Sequence, residues 1–580
     1  MKKINKIITL LFLSSFLFVG CDKLLDVDSD RQVFPDEYQF TSANDTLYSM
    51  FGVFSQLEKL AESYVILGEV RGDLMDLTDK SSLYLKEIND FNVSTPNNPY
   101  ANARDYYSVI NNCNYIIHNI DTSIVKGPKK VMLREYAACK AIRAWTYMQL
   151  ALNFGSAVYY EQPILTLPDA EAIQNQPGKT LEELIPILID DIKPYKDVEE
   201  PKLGTLRDYN TNFSYFPIRF LLGDLYLWSG DYENAAKEYY DLIYKNGFMI
   251  RDNVFKTTRT VQNNAFNNSF TFWGGGWDAL FVSGSSEHIT DIAATNEYGQ
   301  VFDLDSLTRN KTLIPSAVAL NNWNSQMYYH SATLDTLGDT RKLYSVNNDN
   351  LVYYVDVFKP EMKDFYIYKY ILMNPLQTSS TNAYKVAKQV MVYRVALLYL
   401  RYAEALNRLG KINTAFAVLK NGLNNANLFN TRIVPRKELI MGDILTTVIK
   451  SKLDPTQDSI KYDTTYVAPS YMDFTSIYFT DNIGIRMRGL GNVDEDTTYY
   501  IIPKLNNKTD SILFVEDKIQ EELALETAFE GNRFQDLMRF AIHRNDNAYL
   551  ADKVASKHTV NMATIKSKLM TRQNWYIPKK

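Results

Sequence analysis

Apolar residues recur at helical spacing along much of the chain. In residues 105–120, Tyr106, Val109, Ile110, Cys113, Ile116 and Ile117 follow steps of three and four, the signature of one helix face. Gly127-Pro128 breaks the pattern. Residues 133–154 resume it, with Tyr136, Cys139, Ala144, Tyr147 and Ala151 along one side and Gly155 as the cap. These segments predict an antiparallel helical hairpin. Residues 216–247 repeat the design: Leu222-Gly223, Tyr226, Gly230, Tyr232, Ala235 and Tyr239 stand where a tetratricopeptide repeat places its small and aromatic residues. Gly223 and Ala235 let two helices approach, Gly230 turns the chain, and Asp231 caps the second helix. Residues 392–428 form another copy, with Tyr402, Ala403, Leu406, Gly410, Ala415 and Leu419 in matching places. Residues 529–543 predict a late helix of the same character. About three such hairpins must stack to close a core.

Between these units the pattern is lost. Residues 251–383 are rich in Asn, Ser, Thr, Gly and aromatics, and residues 437–517 are similar. Such stretches are too long for ordinary connections and too aromatic for linkers. The expected fold is mostly α. A scaffold of tetratricopeptide-like hairpins, near 104–155, 180–247, 392–428 and 517–545, carries an irregular, loop-rich lobe. That lobe covers mainly 251–383 and 437–516.

The N-terminus is different in kind. Lys2, Lys3 and Lys6 precede an apolar run from Ile7 to Val19, too short to span a bilayer and suited to a secretory signal. It ends Phe18-Val19-Gly20-Cys21, which resembles a bacterial lipobox cut before the cysteine. Residues 1–20 are therefore read as a signal peptide, Cys21 as the lipidated residue, 21–40 as a lipid-anchored tether, and 41–580 as one body. Cys113 and Cys139 remain, without CxxC or zinc spacing. A disulfide between them and a pair of buried thiols are both open readings.

Charge narrows the partners. The 62 Lys and Arg stand against 68 Asp and Glu, a net −6, which argues against nucleic acid. Aromatics make up 13% of the chain, and Tyr outnumbers Phe by 41 to 29, favouring amphipathic rings in clefts. Trp273, Trp277 and Trp323, half of the six Trp, fall within 51 residues of polar sequence. Rings beside Asn and Gly suit a sugar, whose C–H faces stack and whose hydroxyls need paired donors and acceptors. They equally suit a peptide, or the small core of a loop-rich lobe. Catalytic signatures are missing: none of the five His forms HExxH, and there is no GxSxG, P-loop or GxGxxG. No cofactor or metal is implied.

Six segments, in order, resemble the SusD/RagB family of Bacteroidetes outer-membrane nutrient-binding lipoproteins. They are the lipobox with its CDKLLDVD start, Gly68–Asp76 (GEVRGDLMD), YSVINNCNYII at 107–117, KAIRAWTYMQLALNFG at 140–155, VALLYLRYAEALNRLG at 395–410, and ELALETAFEGNRFQDLMR at 522–539. The resemblance implies a non-enzymatic lid on the cell surface, anchored to the outer membrane. Such a lid closes over a SusC-type TonB-dependent transporter and delivers oligosaccharides, or peptides in the RagB branch. It also implies four tetratricopeptide hairpins, with the ligand site on the irregular lobe. A scaffold that binds only protein partners is the alternative of a different class. The loop at 95–100 is expected to border the ligand. The candidate ligand-binding residues are Arg71, Asn97, Tyr100, Trp273, Trp277 and Trp323. Glu526, Glu530, Arg533 and Asp536 are expected on one helix face, locking that helix to the lobe through ion pairs.

Overall fold

A computed structural model describes residues 43–206, 209–251, 259–263, 268–272, 280–281, 285–294, 302–331, 334–347, 364–370, 388–439, 471–489 and 500–579. Residues 1–40, read above as signal and tether, with Cys21, lie outside these residues, as do Trp273 and Trp277. The protein is mostly helical, as expected from the periodicity.

Helix α1 (Ala43–Glu69) runs through the centre, and Val53, Ala61, Val65, Ile66 and Leu67 are fully buried. A short strand β1 (Met75–Leu77) and helix α2 (Leu83–Asn89) follow. Helices α3 (Ala103–Asn119) and α4 (Leu133–Phe154) form the first hairpin. Its antiparallel register is fixed by Asn153 Nδ2 donating to Tyr106 Oη at 3.3 Å and Arg143 Nη1 donating to Asn114 Oδ1 at 2.7 Å. Gly155 closes α4 at φ 80°, as its position suggested. Helix α4 is buried on all sides from Ala137 to Phe154, so its polar groups must be paired. Lys140 and Arg143 share Asp191, and Gln149 pairs with Gln535.

Helices α5 (Leu167–Gln174) and α6 (Leu181–Ile192) lead to the hairpin of α7 (Ile218–Ser229) and α8 (Tyr232–Asn246). Here the sequence reading holds closely. A Cβ on Gly223 would lie 2.3 Å from the Tyr239 ring, so the close approach requires glycine. Gly230 adopts φ 79° to end α7, and the Asp231 side chain accepts from Asn234 N at 3.3 Å. Two strands, β2 (His288–Ala294) and β4 (Lys388–Arg394), pair antiparallel with Ile292 opposite Val390. Strand β3 (Leu313–Pro315) pairs with β1 and runs on to α9 (Ala317–Asn324). The last hairpins are α10 (Val395–Arg408) with α11 (Ile412–Lys420), then α12 (Lys508–Glu526) with α13 (Arg533–Arg544).

The expected continuous helix through Glu526, Glu530, Arg533 and Asp536 is not formed. Helix α12 stops at Glu526 and α13 starts at Arg533, with Phe529 at φ 70° and Gly531 at φ 93° between them. The cause is tertiary. The Glu69 carboxylate of α1 accepts from Phe529 N at 3.1 Å and Gly531 N at 2.8 Å, giving those amides partners outside a helix. The approach is so close that a Cβ on Gly68 would lie 1.8 Å from the Gly531 carbonyl oxygen.

The four side chains still lock the structure, from both sides of that turn. Arg341 bonds Asp339, Glu522 and Glu526, the last at 2.8 Å. Arg394 reaches Glu526 at 2.9 Å and Glu530 at 2.7 Å. Arg488 joins Glu526 at 2.8 Å and pairs with Glu287, while Lys369 Nζ donates to Glu530 at 2.7 Å. All nine groups are buried. Burial alone would raise the Glu526 pKa, but Arg488, Arg394 and Arg341 hold it far below the usual carboxylate range. Arg533 forms a two-bond pair with Asp73 at 2.5 and 2.7 Å, and Asp536 pairs with Arg539 at 2.8 Å.

Candidate functional site

A groove of about 670 Å³ opens beside the loop that joins α2 to α3. Its edges are that loop, the first turn of α3, the segment after α4, helix α5, and the tail at Pro578 and Lys579.

The loop is built by side chains. The Glu87 carboxylate accepts from Ser94 Oγ at 2.6 Å, Thr95 N at 3.0 Å and Thr95 Oγ1 at 2.7 Å. The hydroxyls of Ser94 and Thr95 hold that carboxyl down to about 2. Buried Asn98 donates to Tyr84 O at 3.1 Å and accepts from Tyr100 N at 3.1 Å. Asn97 then adopts φ 58°, a left-handed conformation that Asn tolerates well. Asn102 caps α3 by accepting from Arg104 N at 3.1 Å.

The opposite edge hangs from amides of α3. Asn111 donates to Ile164 O at 3.0 Å and accepts from Ile164 N at 2.7 Å, and Asn114 donates to Tyr160 O at 3.1 Å. Helix α5 buries none of its residues and is held by a reciprocal cap between Thr166 and Asp169. The tail is pinned by Ile577 N donating to Asn153 O at 2.9 Å and by Lys579 Nζ donating to Ser156 Oγ at 2.6 Å.

The lining follows from this frame. Tyr107 and Tyr160 stack with ring centroids 6.2 Å apart, and Pro96, Pro99, Ile164 and Ile173 add apolar surface. Asn97 and Gln174 lie exposed at the rim, and neither side chain bonds to another described residue. The groove thus joins aromatic and proline faces to free amides. It offers stacking and hydrogen bonding, and no nucleophile–base pair.

The sequence-derived residues separate here. Asn97 lines the groove. Tyr100 sits on the same loop but does not line it; burial and then the nearby Glu62 carboxylate of α1 raise its phenol pKa, and burial pushes the Glu62 carboxyl up to about 7. Arg71 and Trp323 are corrections, since each is 1% exposed. Arg71 Nε donates to Leu67 O at 2.7 Å, Nη1 to Trp575 O at 3.1 Å and Nη2 to Asn153, and its guanidinium lies 4.5 Å from the Phe534 ring centre. It staples α1 to the C-terminal segment and is too deeply buried to meet a ligand. Trp323 Nε1 donates to Leu525 O at 3.2 Å, and its ring packs near Phe529. Trp273 and Trp277 lie outside the described residues. Tyr107, Ile173 and Gln174 were missed. Tyr107 gave a signal, a tyrosine off the apolar stripe of its helix; Ile173 and Gln174 gave none.

No protein-family model matches the chain. No curated protein matches it either. Solved structures do. A SusD superfamily protein from Bacteroides vulgatus aligns over 93% of this chain and 96% of its own, at TM-score 0.56 and 13% identity. A SusD-like carbohydrate-binding protein from Bacteroides fragilis covers 93% and 94% at TM-score 0.53 and 14% identity. Surface glycan-binding protein A from Bacteroides fluxus covers 90% and 92% at TM-score 0.52 and 14% identity. The chain has the SusD-like fold.

Proposed function

We propose that this protein is a non-enzymatic surface lipoprotein that binds oligosaccharides and delivers them to a SusC-type TonB-dependent transporter. Cys21 carries the lipid, and the tether holds the body at the outer membrane. The observation that carries the binding reading is the groove beside Asn97. It sets tyrosine and proline faces next to amides that have no partner among the described residues. A sugar ring needs those two features side by side. The names of the structural neighbours support the same ligand class, since two of them are described as glycan- or carbohydrate-binding.

Calorimetry on residues 22–580 tests this, with an oligosaccharide panel and a protein digest as ligands. Oligosaccharide binding is expected, weakened about two- to tenfold by Gln174→Ala through the loss of one hydrogen bond, with an unchanged melting temperature. Binding of the digest alone would replace this reading by peptide import. Binding of neither would leave a protein-interaction scaffold.

A further inference from the structure

The chain holds 68 acidic residues against 62 basic ones, yet among the described residues no Asp or Glu lines the groove beside Asn97. Two cations do, Arg104 and Lys579, from separate edges. The acids nearby are engaged elsewhere. Glu87 of α2 serves Ser94 and Thr95. Asp105 accepts from Asn102 Nδ2 at 2.9 Å, and Lys59 of α1 stabilises its charge more than Arg104 does. Asp169 accepts from the Thr166 hydroxyl at 2.8 Å, and Glu171 of α5 is exposed and not part of the lining.

Neither cation pairs with a carboxylate among the described residues. Arg104 is exposed in the first turn of α3, where the positive end of the helix dipole opposes a cation. Its guanidinium makes no ion pair or hydrogen bond to another described residue, so the stability of α3 does not account for it. Lys579 is held in place. Its Nζ donates to Ser156 Oγ at 2.6 Å. A Cβ at Gly178 would lie 2.7 Å from that oxygen and 3.4 Å from Nζ, so glycine there makes room for the pair. One of the three ammonium donors is used. Burial lowers the Lys579 pKa, and no carboxylate offsets that.

We propose that the ligand of this groove is an acidic oligosaccharide, one that carries carboxylate or sulfate groups on its sugars; the inference rests on the reading of the groove as an oligosaccharide site. A sugar ring stacked on Tyr107 or a proline carries its equatorial substituents outward in its own plane, toward the edges where Arg104 and Lys579 stand. Arg104 receives an oxyanion through its forked N–H donors, and Lys579 receives another through the N–H groups that Ser156 leaves free. Asn97 and Gln174 hold the hydroxyls. A neutral glycan would use the rings and amides but leave both cations to water.

Calorimetry on residues 22–580 with matched ligand pairs tests this. One pair is an oligogalacturonate and its methyl ester, the other a sulfated oligosaccharide and its desulfated counterpart; the pair whose members differ identifies the anion. A charged member is expected to bind about tenfold or more tighter than its neutral counterpart, as for charge-assisted hydrogen bonds. That gap should shrink as salt rises. Arg104→Gln and Lys579→Gln should each narrow it about fivefold or more. Both residues are exposed, so the variants should melt with the parent. Gln174→Ala should weaken charged and neutral members alike. Equal binding within both pairs, with Gln174→Ala still effective, would overturn the acidic preference and keep the oligosaccharide reading. A charged preference undiminished in both cation variants would overturn the roles of Arg104 and Lys579. Binding of no sugar, with or without binding of hexaglutamate as an acidic peptide, would overturn the preference and the reading together.

Discussion

The seam between α12 and α13 and the groove beside Asn97 use the same polar chemistry to opposite ends. At the seam, Arg341, Arg394, Arg488 and Lys369 meet Asp339, Glu287, Glu522, Glu526 and Glu530 in one buried network. Every one of these nine side chains has at least one ion-pair partner. In the groove, Asn97 and Gln174 are exposed and bond to no described residue, although Asn98, next in sequence, is buried and bonded twice. Residue type does not separate a structural polar group from a binding one. Saturation does: a side chain whose donors and acceptors are used inside the protein has nothing to give a ligand.

The strongest way to break the comparison is at the seam. Glu526→Ala removes the carboxylate that Arg341, Arg394 and Arg488 share. Breaking one buried pair costs about 3–5 kcal/mol because a charge is stranded. Here three guanidiniums lose an anion, so the variant is expected at or beyond that range. Denaturant unfolding measures it. A loss below about 1 kcal/mol would mean that the network does not lock the two parts together.

How far the sequence carried depends on how local the determinants are. The hairpins were legible because helical periodicity, Gly230 and Asp231 act within a few residues. Gly223 was legible through its repeat pattern, although its reason is the Tyr239 ring. Arg71 and Trp323 were misread because their partners are remote: Trp575 is 504 positions from Arg71, and Leu525 is 202 from Trp323. The break after Glu526 was invisible for the same reason, since it is set by Glu69, 460 and 462 positions from the amides it binds. Asn97 was reached through the family resemblance, which sets the 95–100 loop beside the ligand region, and not through any pattern of its own. The rest of the groove is assembled from the start of α3, the segment after α4, α5 and the tail, which no local pattern brings together.

A second, smaller break concerns Trp323. Trp323→Phe keeps most of the ring and strands the Leu525 carbonyl, which should cost about 1–3 kcal/mol. Oligosaccharide affinity of the folded variant should not change. A selective loss of binding with normal stability would return Trp323 to the ligand site.

Glu87 sharpens the comparison through pH. Its pKa is depressed from 4.5 to about 2, so its bonds to Ser94 and Thr95 are fully present above about 4.5 and are lost as pH falls toward 2. Glu87→Gln should remove this part of the acid sensitivity, leave the acid dependence from Glu526 in place, and loosen the groove loop. The acid limb of a melting-temperature profile reads the first two effects. An unchanged limb would show that the carboxylate contributes nothing there.

The smallest effect on stability should come with the clearest effect on binding. Asn97 sits at φ 58°, where alanine is strained and glycine is at ease, so Asn97→Gly removes the amide and leaves the backbone conformation accessible. The melting temperature should stay within about 1 °C of the parent, because an exposed side chain with no internal bond is worth little to the fold. Oligosaccharide affinity should fall about two- to tenfold, the range of one hydrogen bond to a neutral group. Calorimetry and a thermal melt on the same preparation read both. A stable variant with full affinity would show that an unsaturated amide at a groove rim is not enough to mark a ligand contact.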